Sequence, residues 1–442
     1  MNGISSIPNL IPSLGIDMVK TRGASNQRSI VLIVLLTIPL MLMSANGQQL
    51  QRNSLVPQHP VPATGFVSGT SALRIPFELS SNIIFLHVRV NGSEPLWVVL
   101  DTGANATLLD TNRAKTLGIK VSGGGDVEGV GETSVAAGMA KNVSFSLPGV
   151  DFQARVVVVL PLSNLDRYVG RVVDGVLGHD FFSRFVVEID YAARIINVSE
   201  PKSFQYSGTG DSIPLELKDN APSVRARLNL PGRAPVEGNF RIDTGGSHAL
   251  ILGTPFVKTQ KILESMSRTI AAPSAGIGGE TSMRLGRVQS LQLGRFLLEK
   301  LVTGLATSAK GALANPDLSG NIGDGILRRF KVIFDYSNHR MILEPNNRLR
   351  EPFEADMSGM VLTAEGVKLD AFTIFFITEN SPASEAALRV GDVITAIDKK
   401  PSSALALDDI REMFKQEGRE HLLGIKRGEQ ASEVKITLRS LI

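Results

Sequence analysis

Two carboxylates that follow apolar runs are the residues of this chain best suited to chemistry. WVVLDTGANATLLD spans residues 97–110 and NFRIDTGGSHALIL spans 239–252, so Asp-Thr-Gly recurs at Asp101 and Asp243, 142 residues apart. A carboxylate at the end of a buried strand is costly unless something uses or satisfies it. Two carboxylates about 3 Å apart cannot both ionise comfortably, so they share a proton and hold an acid and a base at one pH. A water between them can lose a proton to the ionised member and attack a carbonyl, while the protonated member donates to the carbonyl oxygen. Such a pair titrates as a unit, and the sequence does not assign the proton to either member.

The neighbours suit this chemistry. The apolar run before each Asp would deliver it to a rigid, low-dielectric position. Thr102 and Thr244 offer hydroxyls that can bond across to the opposite loop, and Gly103 and Gly245 let a backbone N–H approach a carboxylate with no Cβ in the way. The elements that hold these loops are duplicated. GVLGHDFFSRFVVEIDY at 175–191 aligns without a gap on GNIGDGILRRFKVIFDY at 320–336, at an offset of 145. GVGETS at 129–134 corresponds to GIGGETS at 276–282. Three landmarks in one order make two homologous halves, which suit a pseudo-two-fold pair with the Asp loops at the axis. The paired segments containing Gly129, Val130 and Gly131, and Gly276, Ile277 and Gly278, read as hairpin tips that act as a flap or line a substrate cleft.

Composition bounds the alternatives. The 442 residues are 43% hydrophobic and 20% charged with 42 glycines and 5% aromatics, as in a turn-rich β protein. The net charge is +3, and residues 1–47 hold Lys20, Arg22 and Arg28 against Asp17 alone, so the rest is nearly neutral and gives no reason to expect nucleic acid. There is no cysteine, which excludes disulfides and thiolate chemistry. The six histidines are scattered without metal-ligand spacing, so no metal and no cofactor is expected. His248 borders the second Asp loop and reads as a packed or exposed residue. Asp190 and Asp335 read as structural, each ending a strand before a tyrosine. The apolar run Ile30–Met43, preceded by basic residues and followed by Ala45-x-Gly47, is a secretory signal, with Met18 as an alternative start. The bulk of the chain is therefore expected to be exported, periplasmic or extracellular, or membrane-anchored where this segment is retained.

VVLDTGA with GVLGHDFF, and FRIDTGG with GNIGDGIL, resemble the two lobes of a pepsin-like or retropepsin-like aspartic protease. The resemblance covers roughly residues 75–345 and is closest to bacterial single-chain aspartyl proteases with a C-terminal PDZ domain. It implies a mainly β, bilobal, pseudo-two-fold acid-protease β-barrel fold and an aspartic endopeptidase with Asp101 and Asp243 as the catalytic pair. It also implies that Leu177-Gly178 and Ile322-Gly323 thread beneath the Asp loops. Ala104 and Gly246 stand where pepsins carry Ser or Thr, with Ser247 as a substitute in the second half, which implies a less acidic pH optimum than pepsin's. The flap tyrosine of pepsins is missing from Val130–Ala137.

The remainder is a small α+β module. SPASEAALRVGDVITAIDKKP resembles the core of a PDZ domain of bacterial protease type, with a short helix opening at Ser381-Pro382-Ala383, a strand Val393–Ile397 and a longer helix over roughly 405–416. Ala387 stands where that family usually has glycine. The resemblance implies an extended peptide ligand beside the longer helix. The chain thus divides into a signal peptide (1–47), a linker (48–70), two protease lobes (71–205 and 206–350) and a PDZ-like domain (351–442). The expected partners are a protein or peptide substrate and a peptide on the PDZ-like domain. The competing readings are a non-enzymatic, PDZ-led peptide-binding scaffold with an inactive protease body, and an enzyme that processes only its own N-terminal arm.

Overall fold

The computed structural model describes residues 64–442, so the signal segment and the linker up to residue 63 lie outside the described residues. The architecture is mainly β, in four sheets. Each half of the duplication forms its own sheet with equivalent pairings. In the first, the hairpin Ile83–Val90 to Leu96–Leu100 turns at Asn91 and Gly92, both at positive φ, as a tight hairpin turn requires. Leu96–Leu100 runs parallel to Gly175–Leu177, which runs antiparallel to Leu108–Asp110, and that strand runs parallel to Val150–Leu160. In the second, Ala221–Asn229 pairs with Val236–Asp243, Val236–Asp243 runs parallel to Gly320–Gly323, Gly320–Gly323 runs antiparallel to Leu250–Leu252, and Leu250–Leu252 runs parallel to Val302–Ala306.

A third, six-stranded sheet joins the halves. Its central strands, Val186–Asp190 and Phe330–Asp335, are themselves equivalents in the duplication and pair antiparallel. Ile189 pairs with Val332 and Val187 with Phe334. Shifting the first pair by the 145-residue offset produces the second, which is the register a two-fold axis demands. The apolar core runs through both halves and this sheet, with Phe85, Phe152, Phe181, Phe240, Phe330 and Phe334 fully buried.

Part of the expected linker packs on the first half of the duplication. Gly65–Phe66 pairs with Asp151 and Val150, and the Phe66 ring meets Phe185 edge-on at 5.5 Å. Gln153 N also donates to Thr64 Oγ1 (2.9 Å) and Val67 N to the Gly149 carbonyl (3.0 Å). At the other end, buried Arg329 donates to the carbonyls of Arg348 (2.9 Å) and Pro352 (3.2 Å), with its guanidinium 3.7 Å from the Phe353 ring centroid. That arginine pins the connection to the C-terminal domain. The latter is a sheet ordered Met360–Glu365, Ala371–Ile377, Val393–Ile397, Glu420–Arg427, Gln430–Thr437, with helices Pro382–Glu385 and Leu407–Met413 and its own apolar core. Among the described residues no helix is long and apolar enough to cross a membrane.

Candidate active site

The two Asp loops meet at the seam between the halves. Thr102 Oγ1 donates to the Ile242 carbonyl (2.7 Å) and accepts from Thr244 N (3.1 Å); Thr244 Oγ1 donates to the Leu100 carbonyl (2.8 Å) and accepts from Thr102 N (3.0 Å). Both threonines are buried. Four reciprocal bonds in a low-dielectric seam fix the loops against each other. Gly103 N donates to Asp101 Oδ1 (2.7 Å) and Gly245 N to Asp243 Oδ1 (3.0 Å). The same glycines make room for the opposite carboxylate: a Cβ on Gly103 would lie 2.8 Å from Asp243 Oδ1, and one on Gly245 2.5 Å from Asp101 Oδ2. Leu177-Gly178 and Ile322-Gly323 run beneath the loops, and a Cβ on Gly178 or Gly323 would meet carbonyl oxygens at 2.3 and 2.5 Å.

Asp101 and Asp243 face each other across the seam: a single point, the place of a Cβ on Gly103, lies 2.8 Å from Asp243 Oδ1 and 3.1 Å from Asp101 Oδ1. Burial, reinforced by the charge of Asp243, pushes the Asp101 carboxyl up to about 8. The pair is not symmetric. Asn321 Nδ2 donates to Asp243 Oδ2 at 3.1 Å, whereas the equivalent position in the first half is Val176. Ser247 is exposed and makes no bond to the carboxylates, so Asn321, on a neighbouring strand, provides the support expected of Ser247. The signal for it was present in sequence, as GNIG against GVLG. Its direction follows only from the parallel register that sets Arg241 beside Asn321 and Asp243 beside Gly323. His248 lies under Gly246, where a Cβ would stand 2.5 Å from its ring, and burial pushes its pKa down. Asp335 is held by Ser337, Asn338 and Arg340, and Asp190 accepts from Ala193 N, so both close turns.

The six glycine-rich tip residues come together. Gly131 N donates to the Ile277 carbonyl (3.0 Å), and Thr133 N and Oγ1 donate to the Gly278 carbonyl (3.2 and 2.6 Å). Ala312 N donates to the Gly129 carbonyl at 2.8 Å. Each tip presents its apolar residue to the other half. Ile277 packs on a cluster of Phe85, Val99, Leu108 and Val176, and Val130 on Ile251, Met283, Ala306 and Leu313.

The first half also packs on the C-terminal domain. The helix Asp166–Val169 lies against the edge strand Met360–Glu365 and the helix Leu407–Met413. Arg167 pairs with Glu365 (2.8 Å), Ser81 N donates to Asp408 Oδ2 (2.6 Å), and Arg411 donates to the Tyr168 carbonyl (2.8 Å). The Tyr168 ring meets Phe375 edge-on at 5.8 Å, and its hydroxyl donates to Glu280 on the hairpin that carries Ile277. The slot expected to take a peptide beside the longer helix is therefore covered by the protein's own chain.

No curated protein matches the chain. Residues 86–181, which contain Asp101 but end before Asp243, match the family model for aspartyl proteases, and residues 377–427 match that for PDZ domains. The chain therefore carries an aspartyl protease family domain and a PDZ domain in one polypeptide.

Proposed function

We propose that this protein is an aspartic endopeptidase that cleaves internal peptide bonds with a water held between Asp101 and Asp243. The observation that carries the reading is the pair of facing carboxylates, brought together at a seam clamped by reciprocal threonine bonds. Asp101, whose proton is retained to about pH 8, donates to the substrate carbonyl oxygen. Asp243, which accepts from Gly245 N and Asn321 Nδ2, is the ionised member and takes the proton of the attacking water. No cofactor enters this scheme. A substrate strand enters when the Ile277–Gly278 and Gly129–Gly131 tips part. The PDZ domain recruits a substrate or partner peptide, which must first displace the Asp166–Val169 helix from the edge strand. The reading includes export, which rests on the leader sequence alone.

The test is hydrolysis of a protein substrate such as casein by wild type, Asp101→Asn and Asp243→Asn. Each variant alone should lose at least about a thousandfold in kcat/KM, because the two roles depend on each other. Their melting temperatures should stay close to wild type, since Asn is isosteric with Asp and the threonine bonds that clamp the loops are untouched. Either variant retaining activity within about tenfold of wild type would refute the scheme.

A further inference from the structure

The pseudo-two-fold axis passes between the carboxylates, so a scissile carbonyl held by both must lie on it. An extended substrate strand points successive side chains to opposite sides. The two residues flanking the cut therefore fall in equivalent positions, one over each half. Over the first half, the equivalent surface is Val99 and Val176, both within the apolar cluster that Ile277 caps. Over the second half, the same two positions hold Arg241 and Asn321, register partners on parallel strands.

Arg241 shares its face of the strand with Asp243, two residues on, and its charge acts on Asp101. Its Nε is buried without a hydrogen-bond partner. Arginines on the adjacent strand do not behave this way: Arg225 pairs with Glu216 and Arg227 with Glu237. Among the described residues no carboxylate forms an ion pair with Arg241. A guanidinium with a buried, unpaired N–H next to the reacting centre is a donor awaiting an acceptor, and a carboxylate fits its planar fork best.

Resting on the hydrolytic reading above, we propose that Arg241 is a specificity-determining residue that selects an acidic side chain on the substrate residue flanking the scissile bond over the second half, opposite an apolar residue over the first. The enzyme then cuts between an apolar and an acidic residue rather than between two apolar ones.

The test is the cut-site profile of the full-length protein on a peptide mixture with blocked termini, read by mass spectrometry. Asp and Glu should be enriched at one of the two flanking positions and apolar residues at the other. Matched acidic and apolar peptides are then compared in Arg241→Val, which copies Val99, and in Arg241→Glu. The acidic-to-apolar ratio of kcat/KM should fall about 10- to 100-fold in Arg241→Val. In Arg241→Glu the preference should turn to Lys and Arg. Cleavage that needs Asp101 but shows no acidic enrichment would overturn the proposal, as would enrichment that survives Arg241→Val. Should the variants fail to fold, the wild-type profile decides by itself. No cleavage of any peptide would instead remove the hydrolytic reading beneath it.

Discussion

Replacing Asn321 by Val, the residue at the equivalent position of the first half, isolates the asymmetry of the carboxylate pair. The substitution removes one N–H donor, 3.1 Å from Asp243 Oδ2, and is close to conservative in volume. A hydrogen bond to a charged acceptor contributes about 1.5–3 kcal/mol. At 1.36 kcal/mol for each pH unit, that is about 1–2 units. The sign follows from which states contain the ionised partner of Asn321. The first proton lost from the pair creates that charge, so losing the donor makes this step harder and moves the acid limb of kcat/KM up by about 1–2 units. The second proton leaves Asp101, near pH 8 in the intact pair, while Asp243 is charged both before and after. The donor stabilises both states equally, so the alkaline limb stays in place. The bell-shaped profile of the variant should therefore narrow from its acid side only. The assay is kcat/KM on one neutral peptide from about pH 3 to 10, with folding checked across the range. An unmoved acid limb, or both limbs moving together, would refute the assignment of the proton to Asp101.

Two further outcomes follow from contacts remote from the pair. Tyr168→Phe removes the hydroxyl that joins Glu280 on the Ile277 hairpin to the segment packed on the PDZ domain. An exposed bond of this kind contributes about 0.5–1.5 kcal/mol, so the hairpin should open a few-fold more often, read as faster amide exchange over residues 276–282 in the full chain. Unchanged exchange there would remove the link between the PDZ face and the Ile277 hairpin. Ala387 sits at φ 56°, a left-handed conformation that strains any residue with a Cβ. Ala387→Gly should stabilise the PDZ domain by about 0.5–1 kcal/mol, seen as a later unfolding transition of that domain in calorimetry of the whole protein. A loss of stability would show that the strain is relieved elsewhere.

The sequence carried the pairing of Asp101 with Asp243 and the two threonines because the duplication repeats them at a near-constant offset, and two-fold symmetry then dictates that equivalents meet. The hairpin tips were legible for the same reason. Their crossing was not, since the contacts of Gly131 and Thr133 with Ile277 and Gly278 depend on how far each hairpin leans over the seam. The short PDZ helix and the strand Val393–Ile397 were readable from local turn chemistry, with Ser381 capping the helix and Gly391 at positive φ before the strand. The cover over the PDZ edge strand was not. Arg167 and Glu365 lie 198 residues apart, and neither carries a local signal for the other. Asn321 fell between these cases: its residue type departed from the duplicated pattern, but its aim needed the strand register.

The pattern of what the two halves share and where they differ has a physical logic. Geometry demands symmetry: the threonine bonds, the glycines that admit the opposite carboxylate and the glycines beneath each loop work only as matched pairs, and all are retained. Chemistry demands the reverse, because an acid and a base made from identical carboxylates must be told apart by their surroundings. Beside the seam, the polar substitutions at Arg241 and Asn321, against Val99 and Val176, lie on the face that the carboxylates themselves occupy. Asn321 discriminates between the carboxylates by donating to one of them. Arg241 places a positive charge on the same side and leaves its own buried N–H unfilled. A buried donor without a partner is costly unless a ligand completes it. On the proposed hydrolytic reading, the departure from two-fold symmetry is the means by which a duplicated scaffold acquires one acid, one base and two unlike sides for a substrate.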